Sequence, residues 1–480
     1  MLQLIIPALS FVLPHAAAME DVEDPHAWRA EQPAPLAPRP FQVPEASRAT
    51  LSNGLELVVV ENHEAPLVYV DLVFSAGSGA DPADAPGLAS ATLDMLNEGA
   101  AGMDAAALSV AQRRLGASIS SGAGTDTSRV RIQTLARTLP DSLELFAKVV
   151  RQPDFPEASW TILQKKRIQD LKASLDDPNA LSARISNRLL YGDQYKGQLR
   201  TTTAYEAIDT AAMKDWAARH LRPETGILLV GGDTTLAEIQ PLLEAQLGSW
   251  QPEGEAAEVA PPTPPAAPDG IRVFLHERPD APQSVIRISG FVNPRDAAER
   301  PALVLANRAW GGQFSARLNM NLREKEGWTY GARSGISDSL LPGLWTASSS
   351  VMADATDDAV LRMLDMLEAS RTEAPITEDE LNYVRTGLLG SWPLAFESPQ
   401  KLLSEHAEMW RYDLPEDWIS GYPARLRAVG LEQANAAWTG TVPADQLTIV
   451  VVGDAEALLP GMEERGLEVV RVDADGAPVE

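Results

Sequence analysis

Apolar positions gather in two short runs near the start of the chain, Leu57-Val58-Val59-Val60 and Val68-Tyr69-Val70-Asp71-Leu72-Val73-Phe74, separated by a polar stretch that ends at Ala65-Pro66. Short, β-branched apolar runs bounded by turn residues predict two β-strands around a turn. The same figure returns as Val273-Phe274-Leu275-His276-Glu277, a turn ending at Ala281-Pro282, and Val285 to Phe291. Pro66 and Pro282 are 216 residues apart. A second landmark repeats at nearly the same interval: Ile227-Leu228-Leu229-Val230-Gly231-Gly232-Asp233 resembles Ile449-Val450-Val451-Val452-Gly453-Asp454, the two aspartates lying 221 residues apart. Two anchors in such agreement predict a duplicated domain. Helical stretches such as Trp160 to Leu175 and Asp357 to Ser370 interrupt hairpin-like strand pairs without alternating strictly with them. The predicted fold class is α+β: two homologous domains, each an antiparallel sheet with helices on one face, forming a clam-shell with an interior cleft.

Punctuation residues place the boundaries. Pro252, Pro261, Pro262, Pro264, Pro265 and Pro268 interrupt residues 251–269, which lack hydrophobic periodicity and read as a linker. The domains then span 48–250 and 270–472, followed by a tail at 473–480. Residues 19–47 are dense in proline and predict an extended arm. Ahead of it, the apolar run from Leu2 to Leu13 and the small residues Ala16-Ala17-Ala18 have the form of a signal peptide over 1–18, which places the mature protein in the periplasm or outside the cell. No other stretch reaches the 18 or so apolar residues of a membrane span.

Charge and composition narrow the chemistry. With 67 acidic against 40 basic residues, a net charge of -27, the chain repels a nucleic-acid backbone. The absence of cysteine removes disulfides, thiolate nucleophiles and thiolate-ligated metals together. Of the six histidines, His15 lies in the leader and His26 in the arm, while His63, His220, His276 and His406 have no second histidine within a helical turn. Neither a Gly-x-Ser-x-Gly elbow nor a phosphate-binding glycine loop is present.

One helix carries the informative pattern. In Pro86-Gly87-Leu88-Ala89-Ser90-Ala91-Thr92-Leu93-Asp94-Met95-Leu96-Asn97-Glu98-Gly99, Gly87 opens a helix and Gly99 ends it. Ser90, Leu93 and Asp94, at i, i+3 and i+4, share one face. The segment resembles the signature helix of the pitrilysin/insulinase family of zinc metallopeptidases, in which Gly-Leu-Ala is followed by His-x-x-Glu-His and Met-Leu. The duplication and the linker also fit that family's plan. In the family the two histidines grip zinc and the glutamate deprotonates the metal-bound water. Here Ser90 and Asp94 stand at the histidine positions, Leu93 stands at the base position, and the count to the third ligand arrives at Asp170. An aliphatic side chain cannot accept a proton. No metal, no cofactor and no catalytic residue are therefore expected in this chain, and the site is read as a polar pocket left after loss of catalysis. The alternative is a hard cation held by Ser90, Asp94 and Asp170.

The second half keeps a different hallmark. In Gly311 to Tyr330, Phe314, Leu318 and Leu322 recur every four residues and predict an apolar helix seam, with Gly327 as its cap and Trp328 opening a strand. By composition alone, Arg323-Glu324-Lys325-Glu326 is a solvated charged turn. The segment is similar, however, to the family's substrate-contacting pair, an arginine and a tyrosine seven residues apart, matched here by Arg323 and Tyr330. A guanidinium and a phenol are suitable donors to a peptide oxyanion. The family's substrate-binding edge strand corresponds to Gly116–Arg131, with Ser120 where asparagine is usual.

Some family members are heterodimers in which one subunit carries the zinc helix and the other lends its Arg/Tyr pair. The resemblance thus implies a non-catalytic, zinc-free subunit acting in trans on a peptide held at a partner's zinc. Long-range steering by the acidic charge would favour basic or unfolded peptides. The alternative is a structural or chaperone-like protein, resembling the core subunits of respiratory complexes, that retains the architecture without proteolysis. A zinc peptidase active on its own is the third and least supported reading.

Overall fold

The computed structural model describes Arg29 and residues 42–257, 263–292 and 298–479. The expected leader, and the arm up to residue 41 apart from Arg29, lie outside the described residues.

The apolar runs are strands. The first half builds a sheet from β1 (Ala46–Thr50), β2 (Glu56–Glu61), β3 (Leu67–Phe74), β4 (Ser118–Ala123), β5 (Ser128–Leu135) and β6 (Gly226–Gly232), in the order β1-β2-β6-β3-β5-β4. The second half builds another from β7 (Arg272–Glu277), β8 (Gln283–Val292), β9 (Thr329–Ser337), β10 (Gly343–Met352), β11 (Thr448–Gly453) and β12 (Val469–Val472), in the order β9-β10-β8-β11-β7-β12. Read from opposite ends, the two orders superpose strand for strand, as a duplication requires. The outermost strand is the exception: β1 comes from the front of its half and runs antiparallel to β2, whereas β12 comes from the back and runs parallel to β7.

The strands flanking the Ala-Pro turns are not hairpin partners. β6 inserts between β2 and β3, parallel to the first and antiparallel to the second, and β11 inserts in the same way between β7 and β8. The sheets are therefore mixed, with antiparallel pairings in the majority. All residues of β6 and β11 are buried. A strand with no polar face belongs in the middle of a sheet covered on both sides.

That double covering joins the halves. Within each half, helices cover one face of the sheet, as expected. In the first, Leu57, Val59, Val70 and Val230 pack on helices that include Leu88–Met95 and Leu139–Arg151. The opposite face, carrying Val58, Val60, Ile227 and Leu229, is covered by Leu402, Leu403 and Ala407 of the helix Pro399–Arg411, which belongs to the second half. Reciprocally, Leu181 and Ile185 of the first half's helix Pro178–Tyr191 pack on Phe274, Val285, Val450 and Val452 of the second sheet. Each buried leucine contributes about 1.5–3 kcal/mol. The halves are thus locked by an exchange of helices and do not stand apart as two free valves. At the centre of the second half, Trp310, Trp345 and Trp438 pack in tilted and edge-on contacts with ring centroids 5.4–6.0 Å apart. Their neighbours satisfy all three indoles: Asn307 accepts from Trp345 Nε1 at 3.0 Å, Ser370 Oγ from Trp438 Nε1 at 2.8 Å and Met366 O from Trp310 Nε1 at 3.3 Å. No helix among the described residues is long and apolar enough to cross a membrane.

Candidate functional site

The helix Leu88–Met95 is held by its N-terminus. Gly87 adopts a left-handed conformation, φ 105°, and a Cβ there would lie 2.9 Å from the Tyr205 ring, so only glycine fits. The first backbone N–H groups of a helix lack intrahelical acceptors. The buried Asp81 carboxylate supplies them, accepting from Gly87 N at 2.7 Å and Ala89 N at 2.6 Å. Burial pushes Asp81 up to about 6, opposed by those two hydrogen bonds and by the charges of Arg200 and Arg167.

Ser90, Leu93 and Asp94 separate into two environments. Leu93 is fully buried in the core and its carbonyl accepts from Ser121 Oγ at 2.6 Å. Ser90 and Asp94 instead meet Arg167, which reaches across from the helix Glu157–Asp176. Its Nη1 donates to Ser90 Oγ at 3.1 Å, and its Nη2 donates to Ser90 O at 2.7 Å and Asp94 Oδ2 at 2.6 Å. Asp170 does not join them. Its side chain is 61% exposed and accepts from Lys166 Nζ at 2.6 Å.

This donor set does not fit the zinc that the family's helix holds. The two former histidine positions offer a hydroxyl and a carboxylate, both already engaged by a permanent cation, and a second cation between them would be repelled by the guanidinium. The hard-cation alternative meets the same obstacle. No group of three or more His, Cys, Asp or Glu side chains suited to a metal occurs among the described residues. Arg167 is the residue that sequence reasoning missed. It precedes Asp170 by one helical turn on the same face of the helix to which the count from Asp94 leads. The histidines are ordinary by comparison. His220 and His406 are buried and lowered to about 4, chiefly by desolvation, while His63 is exposed and raised, chiefly by its hydrogen bond to Asp233.

A cavity of about 940 Å³ opens beside this cluster, lined by Asp94, Arg167 and Asp170 and entirely by residues of the first half. Ile119, Ser120 and Ser121 of β4 are on its wall. β4 ends the sheet and pairs with β5 alone, and on it Ile119 N donates to Gln112 Oε1 at 2.8 Å.

Arg323 and Tyr330 do not line this cavity. Arg323 lies in a π-helical turn, Met320–Lys325, closed by Gly327 at φ 72° and by the bond from Trp328 N to Leu322 O at 3.0 Å. π-Turns are rare and concentrate at functional sites. Leu318 and Leu322 are buried as expected. Phe314 is not part of their seam: it precedes the helical turns, is 52% exposed, and carries Arg323 over its ring at 4.7 Å and Arg333 at 5.7 Å. Buried Asn319 ties the parts together, donating to Phe314 O at 2.7 Å and accepting from Ala332 N at 3.0 Å. Tyr330 sits where the pairing of β9 with β10 slips between Thr329 and Ala332, and it is 89% exposed. Glu324 Oε1 lies 3.2 Å from Arg323 Nε. The charged turn is solvated, yet its arginine is held by an aromatic face.

Comparison with known proteins bears on the family and the fold. A family model described as Insulinase (Peptidase family M16) matches residues 57–203, and one described as Peptidase M16 inactive domain matches residues 207–388. An uncharacterised zinc protease of Mycobacterium tuberculosis, Rv2782c, is 22% identical over 383 residues, 79% of this chain and 85% of its own length. Among solved structures, a peptidase M16 inactive domain from Pseudomonas fluorescens superposes with a TM-score of 0.79 at 26% identity, over 85% of this chain and 98% of that one. The periplasmic protease PqqL from Escherichia coli superposes with a TM-score of 0.75 at 16% identity, over 93% of this chain but 49% of its own.

Proposed function

Because the chain belongs to the insulinase family, peptidase family M16, and holds an arginine between its two former metal-ligand positions, we propose that it is the zinc-free subunit of a heterodimeric metallopeptidase. The clamp of Arg167 on Ser90 and Asp94 carries this reading, since it leaves the pocket without a place for a metal. The chemistry then falls to a partner subunit of the same family with an intact zinc helix. This chain contributes substrate binding and, through Arg323 and Tyr330, donors to the peptide carbonyl.

Three features support that division. Tyr330 is almost wholly exposed, so its hydroxyl is free to enter another chain's site. Arg323 is held over Phe314, which reduces the entropy lost when it binds a carbonyl. The fold corresponds to about half of a PqqL-sized chain, so a second copy of the fold would complete an assembly of that size. As charge builds on the carbonyl oxygen of the scissile peptide, the phenol O–H and guanidinium N–H groups donate to it, and a donor of this kind is worth about 10²–10³ in kcat. With the leader expected at residues 1–18, the pair would work in the periplasm or outside the cell.

The test is reconstitution with a zinc-bearing family member that co-purifies with the chain. Arg323→Ala and Tyr330→Phe are expected to lower kcat for peptide cleavage by about 10²-fold each, with subunit association unchanged. Unchanged activity in both variants, together with loss of activity when the whole subunit is omitted, would make the contribution architectural and overturn the mechanism.

A further inference from the structure

The cavity wall is basic although the chain is acidic. It carries Lys166, Arg167, Arg184, Lys196 and Arg200 against Asp81, Asp94 and Asp170, in a protein of net charge -27. Three of the five cations are neutralised by direct pairing: Arg167 with Asp94, Lys166 with Asp170, and Arg184 with Asp475. The other two, both on the loop between the helices Pro178–Tyr191 and Thr202–Ala207, have no carboxylate in contact. Lys196 Nζ donates to Tyr191 Oη at 2.8 Å and Ser339 Oγ at 3.2 Å, both outside the cavity lining, and its charge is felt by the carboxylates of Asp126 and Asp338. The Arg200 side chain makes no hydrogen bond or ion pair among the described residues, and Asp81, the carboxylate that feels its charge, is already capped by two backbone N–H groups. Arg167 also keeps one N–H, at Nε, without an acceptor.

We infer that this cavity is a carboxylate-binding subsite for peptides, in which Arg200, with Arg167 beside the position of the family's metal ligands, receives an acidic side chain or the C-terminal carboxylate of the bound chain. The unpaired edge of β4 supplies the complementary backbone contact beyond Ile119, whose N–H is held by Gln112, because Ser120 and Ser121 share the same wall and an extended peptide can add there as a further strand. Guanidinium groups favour carboxylates through paired, charge-assisted hydrogen bonds. The local field thus opposes the long-range steering of the whole molecule: approach favours basic peptides, and this subsite retains an acidic group.

The inference rests on the peptide-binding part of the proposed function and not on a catalytic partner, so it is tested on the purified full-length chain alone. Binding is measured by fluorescence anisotropy at low salt for three labelled peptides of one extended sequence: a neutral C-terminal amide, the same amide with one internal Gln replaced by Glu, and the free C-terminal acid. At least one acid-bearing peptide is expected to bind about tenfold or more tightly than the neutral amide, and which one does so identifies the source of the carboxylate. The preference is expected to disappear in Arg200→Gln, return in Arg200→Lys, and weaken with added salt. Equal affinity for all three peptides, persistence of the preference in Arg200→Glu, or no binding of any peptide would each overturn the subsite. Loss of the subsite with Arg323 and Tyr330 still active in the reconstituted pair would leave the trans mechanism standing, and the converse result would leave the subsite standing.

Discussion

At Ser90 and Asp94 a guanidinium lies between two oxygens, both within 3.1 Å of it, and a fixed charge at that distance opposes any cation brought to the same place. Restoring the histidines alone, as Ser90→His with Asp94→His, is therefore expected to recover little zinc affinity. Adding Arg167→Gln should raise it by about tenfold or more, equivalent to about 1.4 kcal/mol, measured by zinc content after dialysis and by titration calorimetry. No difference between the double and triple variants would show that Arg167 is not what excludes the metal. Asp81 gives a second test at this scale. Its folded value, about 6, stands above the ordinary 3.8, so its contribution to stability is fully present below about pH 4 and lost as pH rises through about 6. That contribution is at most about 3 kcal/mol. Asp81→Asn should flatten this part of the pH dependence, read as the difference in urea midpoints between about pH 4 and about pH 7. The positions of the family's ligands were legible through the resemblance of one short segment, Pro86 to Gly99, to the family's signature helix. Arg167 was not, because its contact with Ser90 spans 77 residues.

The elements that bear these residues were legible to different degrees. The runs at Val58 and Val70, the helix opened by Gly87 and the cap at Gly327 all follow from local periodicity and from backbone conformations that only glycine adopts easily. The insertion of β6 between β2 and β3 does not, since an unbroken apolar run specifies burial but not its partners. Phe314 was placed on a helix seam by its spacing, but the chain enters helical turns only at Arg317 and then widens into a π-turn, which carries Phe314 to the surface. The helix Pro399–Arg411 shows what such pairing contributes. Leu403 is fully buried against the first sheet, and Leu403→Ala is expected to cost about 2–5 kcal/mol and to lower the stability of both halves in a single urea transition. Two separated transitions would mean that the exchanged helix does not couple them.

For the molecule as a whole, the described residues from 42 onward form one compact unit because each sheet completes its covering with a helix from the other half. A protease site placed in the linker at 251–269 and cleaved under native conditions should leave the two fragments co-eluting on gel filtration, and separate peaks would contradict the exchange. The sequence by itself carried the repeated strand pattern, and its resemblance to the family pointed to the positions of the ligands and to the expected Arg323/Tyr330 pair, since each is a matter of residue type along one short segment. Only the tertiary structure decided that Arg167 bridges Ser90 and Asp94, that Arg167 and Arg200 line a common cavity, and that the halves exchange helices. Each of these joins segments distant along the chain, and such contacts arise when apolar faces and buried charges find partners on folding; no local period encodes them.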